Sequence, residues 1–279
     1  MRERSVVKTV QGRRTVDGAG VNLVRVLGNR DVEDFDPFLM LDSFDSTDPN
    51  DYTKGFPTHP HRGIETITYL IEGEIEHRDS LGNKGVIRSG DSQWMTAGSG
   101  ILHQEMPKAS PRMLGLQIWL NLPREKKMVP PAYFDITKDM VREVNEDFGT
   151  VRIIAGEYKD TVGVQAPHWP ATMYDVTLKA GQEAVLQTGT DENVFVFLIV
   201  GDAEIDGRQY AEKTAVLFGD GDRIRLKAEA ECRFFYFAGK RLKEPVVWGG
   251  PIVMNTDEEL RAAFDELETG DFIKHNAVQ

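Results

Sequence analysis

The chain has 279 residues, long for one hydrophobic core, so two domains of roughly 130–140 residues each are expected. Hydrophobic residues make up 40% and charged ones 28%, with no low-complexity run, which excludes a disordered chain. Acidic residues outnumber basic ones 45 to 33, a formal net charge of −12, which excludes generic binding to nucleic acid or to an anionic membrane.

Met1 to Val10 lacks the apolar core of a signal peptide. No stretch reaches the roughly 20 apolar residues of a membrane span, so a cytoplasmic protein, or a nuclear one in a eukaryote, is expected. From there the chain reads as short strands punctuated by Gly, Asp and Asn. Ile64–Ile71 is apolar and β-branched and closes on the turn Glu72-Gly73. Ile75–Arg78, Gly85–Arg88 and Gln93–Thr96 follow, and Met113–Leu122 puts Leu114, Leu116, Ile118 and Leu120 on one face. This spacing of strands and turns predicts an all-β sandwich or barrel.

Between about residues 123 and 145 the composition shifts to prolines and charges, so the boundary is set here, with domains 1–133 and 134–279. The strand pattern then repeats. Val194–Val200 closes on Gly201-Asp202, and Ala203–Asp206, Thr214–Phe218, Arg223–Lys227 and Cys232–Ala238 complete the set, an internal duplication of one β unit. Cys232, the single cysteine, sits in an apolar run and is expected to be a buried thiol. A helix over about 256–269 follows, capped by Asn255 or Thr256, striped by Leu260, Phe264 and Leu267, and stopped by Gly270.

Chemistry concentrates in the first half. His59-Pro60-His61 sets two imidazoles two residues apart, a spacing that on an extended strand turns both to one face. His103-Gln104-Glu105 does the same for an imidazole and a carboxylate. Two such pairs on neighbouring strands supply four ligands to one ion. Three imidazoles and a carboxylate without a thiolate suit divalent iron, manganese, nickel, copper or zinc, and leave coordination positions free. His77, in the polar run Glu76–Asp79, His168 and His275 have no partner at ligand spacing and carry no expectation of function.

The segment Gly55-Phe-Pro-Thr-His59-Pro-His61-Arg-Gly63-Ile-Glu65-Thr, then Gly90-Asp-Ser-Gln-Trp94-Met-Thr-Ala-Gly98-Ser-Gly-Ile-Leu-His103-Gln-Glu105-Met, resembles the two cupin motifs in their pirin form. Phe35-Asp-Pro-Phe-Leu-Met-Leu-Asp42 and Gly249-Gly-Pro-Ile-Val-Met-Asn255-Thr resemble pirin as well. The resemblance implies two jelly-roll-like cupin barrels packed face to face, with one divalent ion, Fe(II) first among the candidates, held only in the N-terminal barrel by His59, His61, His103 and Glu105. Glu65 is expected nearby as an alternative ligand or a group behind the ligands, because strand parity turns it inward. If Gly201 is laid on Gly73, and Gly219 on Gly90, the C-terminal half offers Gln187, Gly189, Asn193 and Cys232 at the positions of His59, His61, Glu65 and His103, so no ligand set is expected there.

Pirin-like bacterial proteins are associated with quercetin 2,3-dioxygenase activity, which implies a flavonol and dioxygen as substrates. Glu105, or Glu65 behind it, is then the expected base, and Phe56, Trp94, Met95, Met106, Gln117 and Trp119 the expected wall of an aromatic-accepting mouth. The alternative implied by eukaryotic pirin is a metal- or redox-sensing regulator that binds a transcription factor or a metabolic enzyme. A duplicated barrel pair already resembles a cupin dimer, so a monomer is expected.

Overall fold

The computed structural model describes residues 2–275. They fall into two compact units that are not contiguous in sequence. The first contains Arg14–Val32, Phe38–Lys138 and the segment from Leu242 onward; the second contains the N-terminal segment up to Arg13, Glu33–Pro37 and Asp139–Arg241. The sequence reading put one cut at 133/134. In the structure the changeover lies at Lys138/Asp139, and both ends of the chain are exchanged in addition.

The first unit is built on a seven-stranded sheet in the order Ala132–Ile136, Ser92–Thr96, Ile64–Glu72, Met113–Asn121, Phe38–Ser46, Val21–Leu27 and Arg13–Asp17. A four-stranded sheet, Phe56–His61, Ile101–Pro107, Glu74–Asp79 and Lys84–Arg88, is its partner. Val21, Leu23, Phe44, Leu70 and Met113 of the large sheet pack with Ile75 and Ile87 of the small one, so the core lies between the two. The second unit repeats the plan strand for strand. Its large sheet runs Val6–Gln11, Thr214–Phe218, Asn193–Val200, Cys232–Gly239, Ala171–Leu178, Gly149–Ala155 and Arg142–Glu146; its small one runs Glu183–Gln187, Arg223–Lys227, Ala203–Ile205 and Arg208–Tyr210. All of the described pairings between these strands are antiparallel, and each unit is a cupin-type jelly roll.

Sheet completion explains the exchanged ends. The outermost strand of each large sheet needs an edge whose N–H and C=O groups are still unpaired. Ala132–Ile136, inside the stretch read as linker, takes the edge of Ser92–Thr96, and Val6–Gln11 takes the edge of Thr214–Phe218. The helix Asp257–Thr269 is capped by Thr256 in a reciprocal capping box with Glu259 and ends at Gly270, φ 85°. Asn255, the other candidate cap, instead donates from its side chain to the carbonyl of Pro245 at 2.8 Å. Helix residues Leu260, Ala263 and Leu267 pack with Ile252, Met254 and Phe272 of the first unit. The helix therefore belongs to the N-terminal barrel, whereas the sequence cut had joined it to the C-terminal one. Among the described residues no helix is long and apolar enough to cross a membrane.

Candidate metal centre and its cavity

Phe56–His61 and Ile101–Pro107 are antiparallel neighbours with His59 directly opposite His103. His59, His61 and His103 converge, with ligand nitrogens all within 4.8 Å of one another. Nε2 of His59 lies 3.1 Å from Nε2 of His61 and 3.0 Å from Nε2 of His103.

The far ring nitrogens settle the tautomers. Nδ1 of His59 is 2.9 Å from the Pro57 carbonyl, and Nδ1 of His61 is 3.0 Å from the Pro251 carbonyl. A carbonyl only accepts, so both Nδ1 atoms carry the proton and both Nε2 atoms present lone pairs. Two lone pairs facing each other at 3.1 Å repel. Burial and the neighbouring His59 hold the His61 imidazole down at about 3, and burial with the surrounding imidazoles keeps His103 well below its ordinary value. A cation between the nitrogens resolves this conflict, so the donor set fits a divalent first-row ion.

Glu105, two residues after His103 and on the same face of its strand, is buried. Its carboxylate accepts from Thr68 Oγ1 at 3.2 Å, from Gln117 Nε2 at 2.7 Å and from Gln93 Nε2. The Tyr133 hydroxyl donates to Asp135, and its oxygen lies 3.4 Å from Gln93 Oε1. Glu105 lines the same cavity as His59 and His61, its oxygens fixed by three side chains, but it lies outside the group of ligand atoms within 4.8 Å of one another, which holds the three histidines alone.

The site opens into a cavity of about 690 Å³, lined among others by His59, His61, Glu105, Phe56, Gln117 and Trp119. Of the six residues expected at the mouth, Phe56, Gln117 and Trp119 are there. Trp94 points to the opposite face of the large sheet, where it stacks on Phe134. Met95 is consumed by packing with Ile64, Ile101 and Trp119, and Met106 alternates away from Glu105 on its strand.

Glu65 also stands apart from the histidines. Thr66 and Thr68 share the cavity face of strand Ile64–Glu72, so Glu65 faces the other way, where it accepts from Thr96 Oγ1 at 2.7 Å. The expectation failed because parity does not carry across a strand break. Phe56–His61 ends, Gly63 turns at φ +78° with the Val253 carbonyl where a Cβ would be, and a new strand starts at Ile64.

Two family models match the chain: "Pirin" over residues 20–120 and "Pirin C-terminal cupin domain" over residues 173–273. A pirin-like protein of Caulobacter vibrioides is 42% identical over 273 residues, covering 96% of this chain and 99% of its own length. The chain belongs to the pirin family. Mouse pirin is 38% identical over 268 residues, covering 93% of this chain and 91% of its own. Among solved structures, a quercetin 2,3-dioxygenase of Acinetobacter baumannii superposes with a TM-score of 0.89 at 31% identity, covering 97% of this chain and 98% of that one.

The second barrel of this pirin-family chain shows how the duplicated site diverged. In the strand pair that matches Phe56–His61 and Ile101–Pro107, Leu186 lies opposite Ile224, both buried in the apolar core, while Gln187 is exposed opposite Arg223, so no imidazole or carboxylate faces inward there. Cys232 does not lie in that pair but opens the strand that matches Met113–Asn121, between Ala171–Leu178 and Asn193–Val200. The alignment slipped because the hairpin 203–210 has strands of only three residues, which shifts every later turn glycine. Arg4, 4% exposed, donates there to Thr188 Oγ1 and to the carbonyls of Gly189, Glu192 and Gly219. Among the described residues the three-histidine group is the sole cluster of metal-ligand spacing.

Several residues at the site were not among those expected there. Pro251 and Trp248 reach the cavity from the returned C-terminal segment, Trp248 lying 5.4 Å from the Trp119 ring. His77 is 1% exposed, stacks on Tyr133 at 4.2 Å and lies 5.3 Å from the His103 ring. Its Nε2 donates to Asp79 at 3.2 Å. The inward alternation Ile75, His77, Asp79 could have found it; its polar neighbours concealed it.

Proposed function

We propose that this protein is a metal-dependent dioxygenase of flavonols, of the quercetin 2,3-dioxygenase type, with Fe(II) as the first candidate ion held by His59, His61, His103 and Glu105. The observation that carries the reading is the joining of the imidazole cluster to a cavity of about 690 Å³ with aromatic walls. A structural metal site would be closed by its ligands. When bound, a divalent ion supplies Lewis acidity that eases loss of a proton from a chelating flavonol hydroxyl.

The chain's own groups do the rest. Glu105 lies at the cavity wall, so either oxygen can receive that proton, and the donors from Thr68, Gln93 and Gln117 keep the carboxylate in place while its charge changes. Trp119, Trp248 and Phe56 present ring faces and edges to a planar ligand and exclude water beside it. The Pro57 and Pro251 carbonyls hold the His59 and His61 rings in the tautomer that leaves Nε2 free to bind. The relation to the Acinetobacter baumannii quercetin 2,3-dioxygenase supports the same substrate class.

The test is oxygen uptake with quercetin by full-length protein loaded anaerobically with Fe(II), then with Mn(II), Ni(II), Cu(II) and Zn(II). One O2 should be consumed and one CO released per flavonol lost, and His103→Ala should abolish both together with stoichiometric metal binding. Consumption no faster than with the free ions, for all five metals, rejects the enzymatic reading.

A further inference from the structure

We propose that the Asp17–Arg25–Asp42 cluster in the cavity wall is a second recognition point, which selects a neutral polyhydroxylated aromatic ligand by the hydroxyls on the ring farthest from the histidines. This rests on the flavonol reading above and names the part of the ligand that sets specificity.

Strand register places the cluster. Arg25 lies opposite Asp42, Asp42 opposite Gln117, Gln117 opposite Thr68, and Thr68 opposite Gln93. These five residues form one row across five adjacent strands, and cross-strand partners share a face. At one end of the row Gln93, Thr68 and Gln117 grip Glu105. Arg25 lies two strand spacings beyond Gln117, about 10 Å away. The same cavity touches Glu105, Gln117, Asp42, Arg25 and Asp17, so a ligand of linked rings can meet both ends of the row at once.

The chemistry of the cluster defines what it takes. Arg25 donates from Nε and Nη2 to the two oxygens of Asp42 at 2.9 and 2.7 Å, and from Nη2 to Asp17 at 2.7 Å. Its Nη1 has no partner among the described residues and keeps two N–H donors. Asp17 is half exposed and can accept from a hydroxyl. One positive and two negative groups repel a carboxylate or phosphate, whereas a phenol hydroxyl can donate to Asp17 and accept from Arg25. Asp42 is 3% exposed, so its charge is held inside the fold by the partly exposed Arg25. A binding role gives such a pair a reason to stand in a cavity wall. The strand is also bulged between Arg25 and Leu27, a device that re-aims side chains beside sites.

The experiment compares quercetin with its analogue lacking hydroxyls on the distal ring, both titrated anaerobically into full-length Fe(II)-loaded protein. Quenching of Trp119 and Trp248 in the cavity reports binding. Wild type should bind quercetin about tenfold more tightly than the analogue, the value of one or two hydrogen bonds. Asp17→Asn and Arg25→Gln should each cut that preference to within about threefold by weakening quercetin alone. Asp17→Asn leaves the Arg25–Asp42 pair intact, so it remains informative if Arg25→Gln does not fold. Equal binding by wild type, a preference that survives in every folded variant, or a parallel loss of both ligands overturns the proposal. Binding of neither flavonol by wild type rejects the flavonol reading itself, a result distinct from equal binding.

Discussion

Loading the three-histidine site with cobalt(II) tests its geometry directly. The Nε2 atoms of His59 and His61 are 3.1 Å apart, and those of His59 and His103 are 3.0 Å apart. With metal–nitrogen bonds of about 2.1 Å, those separations close to N–metal–N angles of about 91–95°. A tetrahedral ion with the same bonds would need the nitrogens about 3.4 Å apart. Spreading them that far would strain the Nδ1 bonds to Pro57 and Pro251 and the direct pairing of His59 with His103. These two pairs would therefore suit neighbouring positions of a six-coordinate ion, with other positions left for exchangeable ligands. Full-length protein with one equivalent of Co(II) should show the weak visible absorption of six-coordinate cobalt and should perturb all three imidazoles in paramagnetic NMR. Intense visible bands, the mark of tetrahedral cobalt, would refute the geometric argument and point to a closed site.

Three further predictions follow from contacts around the site and the core. Gln93→Leu removes a donor to Glu105, and loss of an outer partner of this kind should lower kcat/KM with quercetin about 10–100-fold at unchanged fold; wild-type kinetics would show that Gln93 does not position the base. Burial raises the Glu65 carboxyl from 4.5 to about 7, so the native protein keeps a proton that the unfolded chain releases above 4.5. Stability should fall as pH rises from 4.5 to 7, by up to about 3 kcal/mol, and then level off; Glu65→Gln should flatten the profile in urea unfolding, and an unaltered slope would contradict the assignment. Burial pushes the Cys232 thiol up to about 12, so a disulfide reagent at pH 8 should label native protein negligibly and urea-unfolded protein stoichiometrically; rapid native labelling would show the strand Cys232–Gly239 to be open.

Local rules carried the sequence far. Alternation and turn residues located Thr214–Phe218 and Arg223–Lys227 to the residue, because strand periodicity and glycine turns are written in neighbouring positions. His59, His61 and His103 were legible for the same reason: a spacing of two on an extended strand fixes a common face without knowledge of the fold. Glu65 shows where that logic stops, since the turn at Gly63 resets the parity.

What the tertiary structure alone decided is which distant segments meet. The Pro251 carbonyl orients His61 across 190 positions of sequence, and no periodicity encodes such a contact. Trp248 reaches the cavity in the same way, and the row from Arg25 to Gln93 exists only once five strands have taken their register. The place of the N-terminal strand Val6–Gln11 in the second barrel likewise depends on the sheet edge left unpaired at Thr214–Phe218, a property of the assembled sheet. The sequence by itself determined the strands and the common face of the paired histidines, through short-range geometry. The cavity, the setting of Glu105 and the distal polar cluster depend on long-range pairing, which only the folded chain supplies.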